Sequence, residues 1–331
     1  MKLVTFEVAT PLGPFGRLGA LLGDQIVDLQ AAFAAFLKSE GEAQPSRLAE
    51  TDIPSDMRQF LETGRCGWNA ARRGLAFAEA VVKSGEAMRG PRGETLLYDR
   101  PTVRLLAPLP RPASLRDFLA FEAHTKAGFA RRGEAIPEAW YQMPVYYKGN
   151  HRAIVGPDED VVWPRYTQQL DYELELACVI GREGRNLSVE EAPAWIAGYT
   201  VMNDWSARDI QRSEMAVRLG PAKGKDFATS LGPCLVTPDE INPRDLHMIA
   251  RINGEVWSEG NAGSSHWTFP QMISHVSMEE TIYPGDVLGS GTVGGGSGLE
   301  LDRWLKPGDV VELEIQGIGV LRNRVIRRGN G

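Results

Sequence analysis

The order of strand and helix patterns after about residue 106 is the feature that most restricts the fold. Short apolar or alternating runs predict strands scattered through this part of the chain, at 170–180, 198–202, 246–253, 286–290 and 309–316. The main helical pattern there is 115–132. Doubly wound parallel sheets require strands and helices that alternate regularly, and this order does not alternate. The chain is therefore predicted to be an α+β protein dominated by β-structure.

The first hundred residues have a different character. Strand patterns at 18–22 and 25–29 flank a Gly-Asp pair, which is typical of a hairpin turn, and the Ala-rich run 68–82 predicts an amphipathic helix. Prolines then cluster at positions 91, 101, 108, 110 and 112. Because domain boundaries fall in segments of this kind, we predict a small N-terminal α+β domain at 1–105 and a larger domain at 106–331.

Composition and charge disfavour several classes of protein. The chain has 331 residues, of which 43% are hydrophobic, and a net charge of −7 without a basic patch, so nucleic acid is not an expected partner. No apolar run reaches the ~20 residues that a membrane span needs, and no signal peptide is predicted. Three widely spaced cysteines fit neither a disulfide framework nor a zinc cluster. These features favour a cytoplasmic location.

Acidic residues in the strand pattern 170–180 indicate a metal site. Glu173 and Glu175 are two residues apart, so they share one face of a strand. An exposed, solvated acidic face would explain this stretch taken alone. Asp204, at the end of another strand pattern, adds a third carboxylate. Three carboxylates without a neighbouring histidine or cysteine pair suit a hard cation, so we predict Mg²⁺, with Mn²⁺ or Ca²⁺ as alternatives and zinc disfavoured.

A glycine-rich segment at 289–294 matches the G-x-G-x-x-G pattern of dinucleotide-binding loops. Such a loop needs a helix that begins at the last glycine and faces phosphate. Here further glycines follow at 295, 296 and 298, which opposes a helix start. We therefore interpret the segment as a flexible or closely approaching loop beside a ligand.

Two further side chains have chemistry that the metal hypothesis could use. Lys225 follows a Gly-Pro turn and could stabilise an anion beside the metal, although an isolated lysine usually lies at the surface. His124 follows Asp117 by seven residues, so the predicted helix 115–132 would put both on one face. A lone histidine is more often structural than catalytic.

Four motifs, in this order and at these separations, resemble the fumarylacetoacetate hydrolase family. They are DYELELA at 171–177, NDWSARDIQ at 203–211, GKDFATS at 224–230 and SGLELDRWLKPGDVVELEI at 297–315. The resemblance covers roughly residues 113–331. It implies a mixed β-sandwich roll with a smaller N-terminal α+β domain, paired as a homodimer.

The resemblance also implies roles for individual residues. Four acids match metal ligands: Asp117, Glu173, Glu175 and Asp204. His124 matches the general base that activates water, Glu300 the acid that orients it, and Lys225 the lysine that stabilises a developing carbanion. Four residues match positions that line or order the pocket: Tyr147, Gln211, Thr229 and Thr292.

Two departures from the family pattern bear on these roles. Leu119 stands where the family hydrolase has a tyrosine, which leaves the particular substrate open. Glu122, two residues before His124, could assist or replace Glu300.

The expected function is therefore that of a divalent-metal-dependent hydrolase that cleaves a C–C bond in a small 1,3-dioxo acid through an enolate. The substrate would resemble fumarylacetoacetate or an acylpyruvate, as in aromatic catabolism. Three alternatives use the same site: decarboxylation of an oxaloacetate-like acid, hydration or isomerisation of a 2-oxo-alkenoate, and a catalytically silent metal-binding protein. The presence of His124 and Glu300 favours water activation.

Overall fold

A computed structural model describes residues 1–85 and 88–327. The predicted class is confirmed, because β-strands dominate and helices are interspersed. The N-terminal part contains, in chain order, strands β1 (Lys2–Thr10), β2 (Gly13–Leu22) and β3 (Gln25–Asp28), helices α1 (Leu29–Ser39), α2 (Pro45–Asp52), α3 (Met57–Glu62) and α4 (Arg65–Ser84), and strands β4 (Leu97–Asp99) and β5 (Arg104–Leu105).

The second part contains most of the strands. In chain order its elements are β6 (Ser114–Phe118), α5 (Glu122–Ala130), α6 (Glu138–Gln142), β7 (Tyr146–Lys148), β8 (Ile154–Val155), β9 (Asp160–Val162), β10 (Leu170–Asp171), β11 (Leu174–Ile180), β12 (Ile196–Asp204), β13 (Ser206–Ala207), α7 (Arg208–Ala216), β14 (Thr229–Val236), β15 (His247–Ile252), β16 (Glu255–Asn261), α8 (Phe269–Ser277), β17 (Asp286–Gly289), α9 (Gly298–Leu301), β18 (Val310–Ile315) and β19 (Gly319–Ile326).

One twelve-stranded sheet runs through both parts of the chain. Its order is β4-β3-β2-β1-β14-β12-β11-β17-β6-β7, with β5 on β1 and β8 on β14. The N-terminal part joins the rest where β1 pairs antiparallel with β14, with Leu3 opposite Leu235. The sheet is thus continuous across the segment in which the domain boundary is predicted. The division into 1–105 and 106–331 stays a prediction.

A second sheet forms the other layer. Its strands follow the order β16-β15-β18-β19-β9. Along β19, buried residues alternate with exposed ones, as expected for a strand with one face in the core. Leu313 and Leu321 from this sheet lie in one core with Val201 of the large sheet, all essentially inaccessible to solvent. Burying each such side chain stabilises the fold by about 1.5–3 kcal/mol. Two layered sheets with this shared core agree with the expected sandwich roll.

Local patterns correctly predict three elements of the N-terminal part. The hairpin is β2 and β3, and the helix predicted at 68–82 is α4. Asp28 caps α1 by accepting a hydrogen bond from the backbone N–H of Ala31, and Gly85 ends α4 in the left-handed region at φ 71°. Gly74 allows α4 to approach α1 closely, since a Cβ there would lie 3.0 Å from the nitrogen of Phe33.

The predicted helix 115–132 is wrong in its first half. Residues 114–118 form β6, which pairs parallel with β17 and antiparallel with β7, and only α5 is helical. Asp117 and His124 therefore do not share a helix face. The local sequence does not predict this strand because Arg116 and Asp117 are charged. Charged side chains predict exposed positions, but both of these are buried. Arg116 forms ion pairs with Glu280 and Asp286, and Asp117 accepts a hydrogen bond from the backbone N–H of Gly291. These partners come from distant elements, so they are not visible in the local sequence.

The strand predicted at 170–180 is interrupted. It divides into β10 and β11, and Glu173 between them forms an isolated bridge with Ser297. The other strands predicted in the second part are confirmed with shifts of a few residues at their ends. Among the described residues no helix has the length and apolar character needed to cross a membrane. The cytoplasmic location stays a prediction.

Candidate functional site

Four buried carboxylates meet at one end of the central strands. Asp117 comes from β6, Glu175 from β11 and Asp204 from the last position of β12, while Glu173 lies in the break before β11. One oxygen of each can be chosen so that all four lie within 4.8 Å of one another. The structure therefore brings together the four acids to which the resemblance gives a metal-binding role.

The glycine-rich loop makes room for this cluster. Gly289 ends β17, between the strands that carry Glu175 and Asp117. A Cβ at this position would lie 2.4 Å from an oxygen of Asp117 and 3.1 Å from an oxygen of Glu175. Gly291, in the left-handed region at φ 78°, donates its backbone N–H to Asp117. The loop thus approaches carboxylates closely, as the interpretation of a loop beside a ligand requires, and helix α9 begins only at Gly298.

The hydrogen bonds of the cluster are incomplete. Thr292 donates its hydroxyl to Oε1 of Glu175 at 3.2 Å, and Tyr147 donates to Oδ2 of Asp204 at 2.7 Å. The other oxygens of these acids, Oε2 of Glu175 and Oδ1 of Asp204, are buried and have no hydrogen-bond partner among the residues that the structure describes. Buried polar atoms are nearly always paired, so two unpaired carboxylate oxygens facing two further acids fit a hard cation with oxygen ligands.

Electrostatics divides the cluster into two kinds of acid. Burial, together with the charge of neighbouring acids, raises the pKa of Asp117 and Glu175 well above the usual range. Burial also raises the pKa of Asp204, although Lys225 opposes the change. For Glu173 the effect of burial is outweighed by the positive charges of Lys225 and Arg208, which hold its pKa below the usual range. Asp117, Glu175 and Asp204 are therefore the acids whose negative charge a divalent cation would stabilise most.

Lys225 is part of the cluster and not a surface residue. Its side chain is buried, and Nζ donates hydrogen bonds to Oε2 of Glu173 and Oδ2 of Asp204. Burial lowers the pKa of this ammonium group, but the two carboxylates outweigh that effect and raise it. Lys225 thus stays charged and lies beside the acids, where it can stabilise negative charge on a bound molecule.

His124 lies on α5 and faces the cluster. Its Nδ1 is 2.7 Å from Oε2 of Glu300, while its Nε2 is 3.7 Å from Oε1 of Glu173. Burial would raise the pKa of Glu300, but its hydrogen bonds from His124, Gly295 and Ser297 hold it below the usual value. An ionised Glu300 accepts a hydrogen bond from the N–H at Nδ1, which leaves the lone pair of Nε2 directed toward the acids. This is the geometry of an oriented general base.

Glu122 does not occupy the position of Glu300 in this structure. It accepts a hydrogen bond from the hydroxyl of Tyr141 at 2.8 Å, and both side chains are exposed. The contact partner of His124 is Glu300, which comes from a segment 176 residues away.

The remaining residues with an expected pocket role lie around the same cluster. Thr229, at the start of β14, is the register partner of Asp204. Gln211 lies on α7 and accepts a hydrogen bond from Nη1 of Arg208 at 3.0 Å. Tyr147 and Thr292 contact the acids directly, as described above. All eleven residues named from the sequence are thus close to one site, although only their proximity, and not their role, follows from the geometry.

Two buried residues at the site are absent from the sequence-based set. Nη2 of Arg208 donates to Oε1 of Glu173 at 2.8 Å, and Nε donates to Oδ2 of Asp171 at 2.8 Å. Both residues lie inside the motifs that carry the family resemblance, Asp171 as the first letter of DYELELA and Arg208 four positions after Asp204. Their inclusion in those motifs is the signal that could have identified them.

Comparisons with known proteins identify the family. The family described as "Fumarylacetoacetate (FAA) hydrolase C-terminal" matches residues 114–326. The human protein named oxaloacetate tautomerase FAHD2A, mitochondrial, is 32% identical over 329 residues, which cover 98% of this chain and 92% of that protein. The structure of a fumarylacetoacetate hydrolase from Exiguobacterium antarcticum has 27% identity and a TM-score of 0.69, covering 99% of this chain and 100% of that one.

A third comparison shows the fold alone. The maleylpyruvate hydrolase from Sphingobium sp. SYK-6, in a complex with manganese(II) and pyruvate, is 22% identical with a TM-score of 0.67, covering 99% of this chain and 100% of that one. The family match spans the four sequence motifs and the site, so the expected resemblance is confirmed. The chain belongs to the fumarylacetoacetate hydrolase family.

Proposed function

We propose that this enzyme uses a divalent metal ion and His124 to interconvert the keto and enol forms of a small 2-oxo dicarboxylic acid of the oxaloacetate type. The observation that carries the proposal is the His124–Glu300 pair, whose free Nε2 faces four clustered carboxylates. Identity of 32% to an oxaloacetate tautomerase over 98% of the chain supports this substrate class.

Asp117, Glu173, Glu175 and Asp204 are the residues that would hold the metal, and the unpaired buried oxygens of Glu175 and Asp204 support this assignment. Mg²⁺ is the proposed ion and Mn²⁺ the first alternative, since both take oxygen ligands. When bound, the ion would act as a Lewis acid that stabilises negative charge on the keto oxygen of the substrate.

His124 carries the proton in this proposal. Nε2 removes a proton from the carbon next to the keto group, and the electron pair moves into the new C–C double bond as the keto oxygen gains negative charge. The same proton then passes to that oxygen, which completes the enol, and the reverse sequence regenerates the ketone. Glu300 keeps the proton on Nδ1 throughout. Lys225 supplies fixed positive charge beside the acids.

Hydrolytic cleavage of a C–C bond, the expectation from the sequence, is the second candidate. The same His124–Glu300 pair could take a proton from water instead of from carbon, so that hydroxide attacks the distal carbonyl of an acylpyruvate. Identity of 27% to a fumarylacetoacetate hydrolase structure over 99% of the chain favours this candidate. The two functions share the base and the metal, and they differ in which proton His124 removes.

A direct assay of both substrates separates the candidates. The wild-type protein is incubated with Mg²⁺ or Mn²⁺ and either the enol form of oxaloacetate or an acylpyruvate, and ketonisation, cleavage and CO₂ release are followed in parallel. We expect ketonisation of oxaloacetate to be the fastest reaction. Faster acylpyruvate cleavage would replace the proposal with the hydrolase, and dominant CO₂ release would replace it with a decarboxylase.

Two glutamates, Glu300 and Glu122, provide a test of the base and its control. Glu300→Gln removes the carboxylate that orients His124 and should lower kcat strongly, whereas Glu122→Gln changes only an exposed contact with Tyr141 and should not. Activity with none of the substrates, despite bound metal, would favour a silent metal-binding protein instead.

We also propose that the enzyme assembles as a homodimer, as the family resemblance implies. Sedimentation equilibrium of the purified protein tests this, and a single species with the 36.4 kDa mass of one chain would contradict it.

A further inference from the structure

We propose that Asp171 is a positioning residue that joins the two halves of the site, the segment that carries Glu300 and the metal-binding acid Glu173. This inference rests on the proposed function for its catalytic consequence. Its physical content, a single buried carboxylate that orients both groups, can be tested in the protein without substrate.

Asp171 accepts four hydrogen bonds through its two side-chain oxygens. Oδ1 accepts from the backbone N–H groups of Tyr172 at 2.9 Å and Gly298 at 2.8 Å. Oδ2 accepts from the backbone N–H of Leu299 at 3.0 Å and from Nε of Arg208 at 2.8 Å. The residue is fully buried. Every partner is a donor, so an ionised carboxylate satisfies them all, whereas an amide would direct its NH₂ group at two donors.

On one side Asp171 holds the turn that carries Glu300. Gly298 and Leu299 are the first two residues of α9, and Glu300 is the third. A Cβ at Gly298 would lie 2.6 Å from Oδ1 of Asp171 and 2.3 Å from the carbonyl oxygen of Arg303. Glycine at 298 is therefore what allows the carboxylate to reach the backbone. Because α9 has only four residues, its first turn decides where the Glu300 side chain meets His124.

On the other side Asp171 holds Glu173 through Arg208. The guanidinium group of Arg208 donates from Nε to Asp171 and from Nη2 to Glu173 at 2.8 Å. Because this group is planar and rigid, the hydrogen bond to Asp171 also fixes the direction of the hydrogen bond to Glu173. A short ladder supports this arrangement, since β10 and β13 pair Asp171 with Ser206, two residues before Arg208. The hydrogen bonds described for Asp171 thus lead to Glu173 through Arg208 and to the turn that carries Glu300, the partner of His124.

The test uses Asp171→Asn, which changes the shape of the side chain least. Asp286→Asn is the matched control, because Asp286 is also buried and also accepts hydrogen bonds from backbone and side chain, from Tyr283 and Ser114. Two quantities are measured without substrate: the downfield NMR resonance of the His124 Nδ1 proton, assigned by its loss in His124→Gln, and the affinity for Mn²⁺ by calorimetry.

We expect Asp171→Asn to shift or broaden the His124 resonance and to weaken Mn²⁺ binding by about 10–100-fold, as is usual for residues that orient metal ligands. Asp286→Asn should change neither quantity. With substrate, Asp171→Asn should lower kcat more than it raises KM. A folded Asp171→Asn protein with the wild-type resonance and an Mn²⁺ affinity within about twofold of wild type, against the tenfold minimum expected, would overturn the inference.

Gly298→Ala keeps the inference testable if Asp171→Asn does not fold. The added methyl group displaces the α9 turn from Asp171 but leaves the Arg208–Glu173 contact in place. The His124 resonance should then change while Mn²⁺ affinity is retained, and an unchanged resonance would refute the link. If the wild-type protein shows the resonance and binds Mn²⁺ but converts neither oxaloacetate nor an acylpyruvate, the proposed function fails and this inference stands.

Discussion

Buried acids lie at both ends of the strand pair β6 and β17, and they differ in how completely their oxygens are hydrogen-bonded. At the first end Asp286 lies opposite Ser114, and each of its oxygens accepts a hydrogen bond. At the other end Gly289 lies opposite Asp117, and the neighbouring Glu175 and Asp204 each have a buried oxygen for which residues 1–85 and 88–327 supply no hydrogen-bond partner. The same β-structure thus satisfies the acid at one end with hydrogen bonds and leaves two carboxylate oxygens unsatisfied at the proposed metal site.

This difference has an energetic meaning. A buried carboxylate with complete hydrogen bonds contributes to stability in the protein alone, whereas a cluster of like charges costs stability until a cation binds. Activity should therefore depend on one end of the strand pair and intrinsic stability on the other. The four predictions below test that division, from the largest expected effect to the smallest.

Removing the base should cause the largest change. His124→Ala removes the side chain that Glu300 orients toward the acids, and general-base assistance is worth ~10²–10⁴-fold in rate. We expect kcat for ketonisation of oxaloacetate, or for acylpyruvate cleavage, to fall by that factor while Mn²⁺ affinity is unchanged. Steady-state kinetics and calorimetry measure the two quantities. A His124→Ala enzyme that keeps its activity would contradict the proposal that His124 is the base.

A divalent metal ion should stabilise the protein only through the acids at the Asp117 end of the strand pair. Ligand at about 100 times its Kd stabilises a folded protein by ~2.7 kcal/mol, and we expect this increment for the wild-type protein with Mg²⁺ or Mn²⁺. Glu175→Ala should lose the increment because it removes a central oxygen donor, while Asp286→Ala should keep it. Urea denaturation with and without metal measures the effect. Equal stabilisation of Glu175→Ala and wild type would argue against the proposed site.

Neutralising one acid at each end, without metal, should change stability unequally. Asp286 accepts from two donors, the backbone N–H of Tyr283 and the hydroxyl of Ser114, whereas the amide of Asp286→Asn has only one oxygen to offer them. One donor therefore loses its acceptor, and an unsatisfied buried donor costs about 1–3 kcal/mol. Glu175→Gln removes negative charge from a crowded cluster, so the free energy of unfolding should stay the same or rise. Denaturation in the presence of EDTA compares them. A loss in Glu175→Gln as large as that in Asp286→Asn would remove the energetic distinction between the ends.

The smallest effect concerns the segment above the site. A helix at 115–132 that carries His124 would be expected to form a mobile lid over the site, but β6 lies in the central sheet and only α5 is helical. We expect oxalate with Mg²⁺ to slow amide hydrogen exchange in α5 and to leave β6 unchanged. Exchange measured by mass spectrometry with and without the ligand tests this. Equal exchange of α5 in both states would count against a lid.

Much of this molecule is determined by local sequence. Short apolar or alternating runs predict β2, β11 and β18 because each buries one or both faces in a sheet, and the Ala-rich run predicts α4 because its apolar stripe packs on α1. The motifs around Glu173, Asp204 and Lys225 predict an acidic site with a lysine beside it.

Only the tertiary structure decides how those residues are used. Asp117 lies on a strand because β6 pairs with β17 and β7, which are far away in the chain, and a polar segment of five residues carries no local signal of that pairing. Lys225 is buried because Glu173 and Asp204 compensate its charge, and Asp171 is revealed as a link only when α9 and Arg208 are brought to it. Local sequence determines propensity and periodicity, whereas the pairing of buried charges depends on contacts between segments distant in the chain.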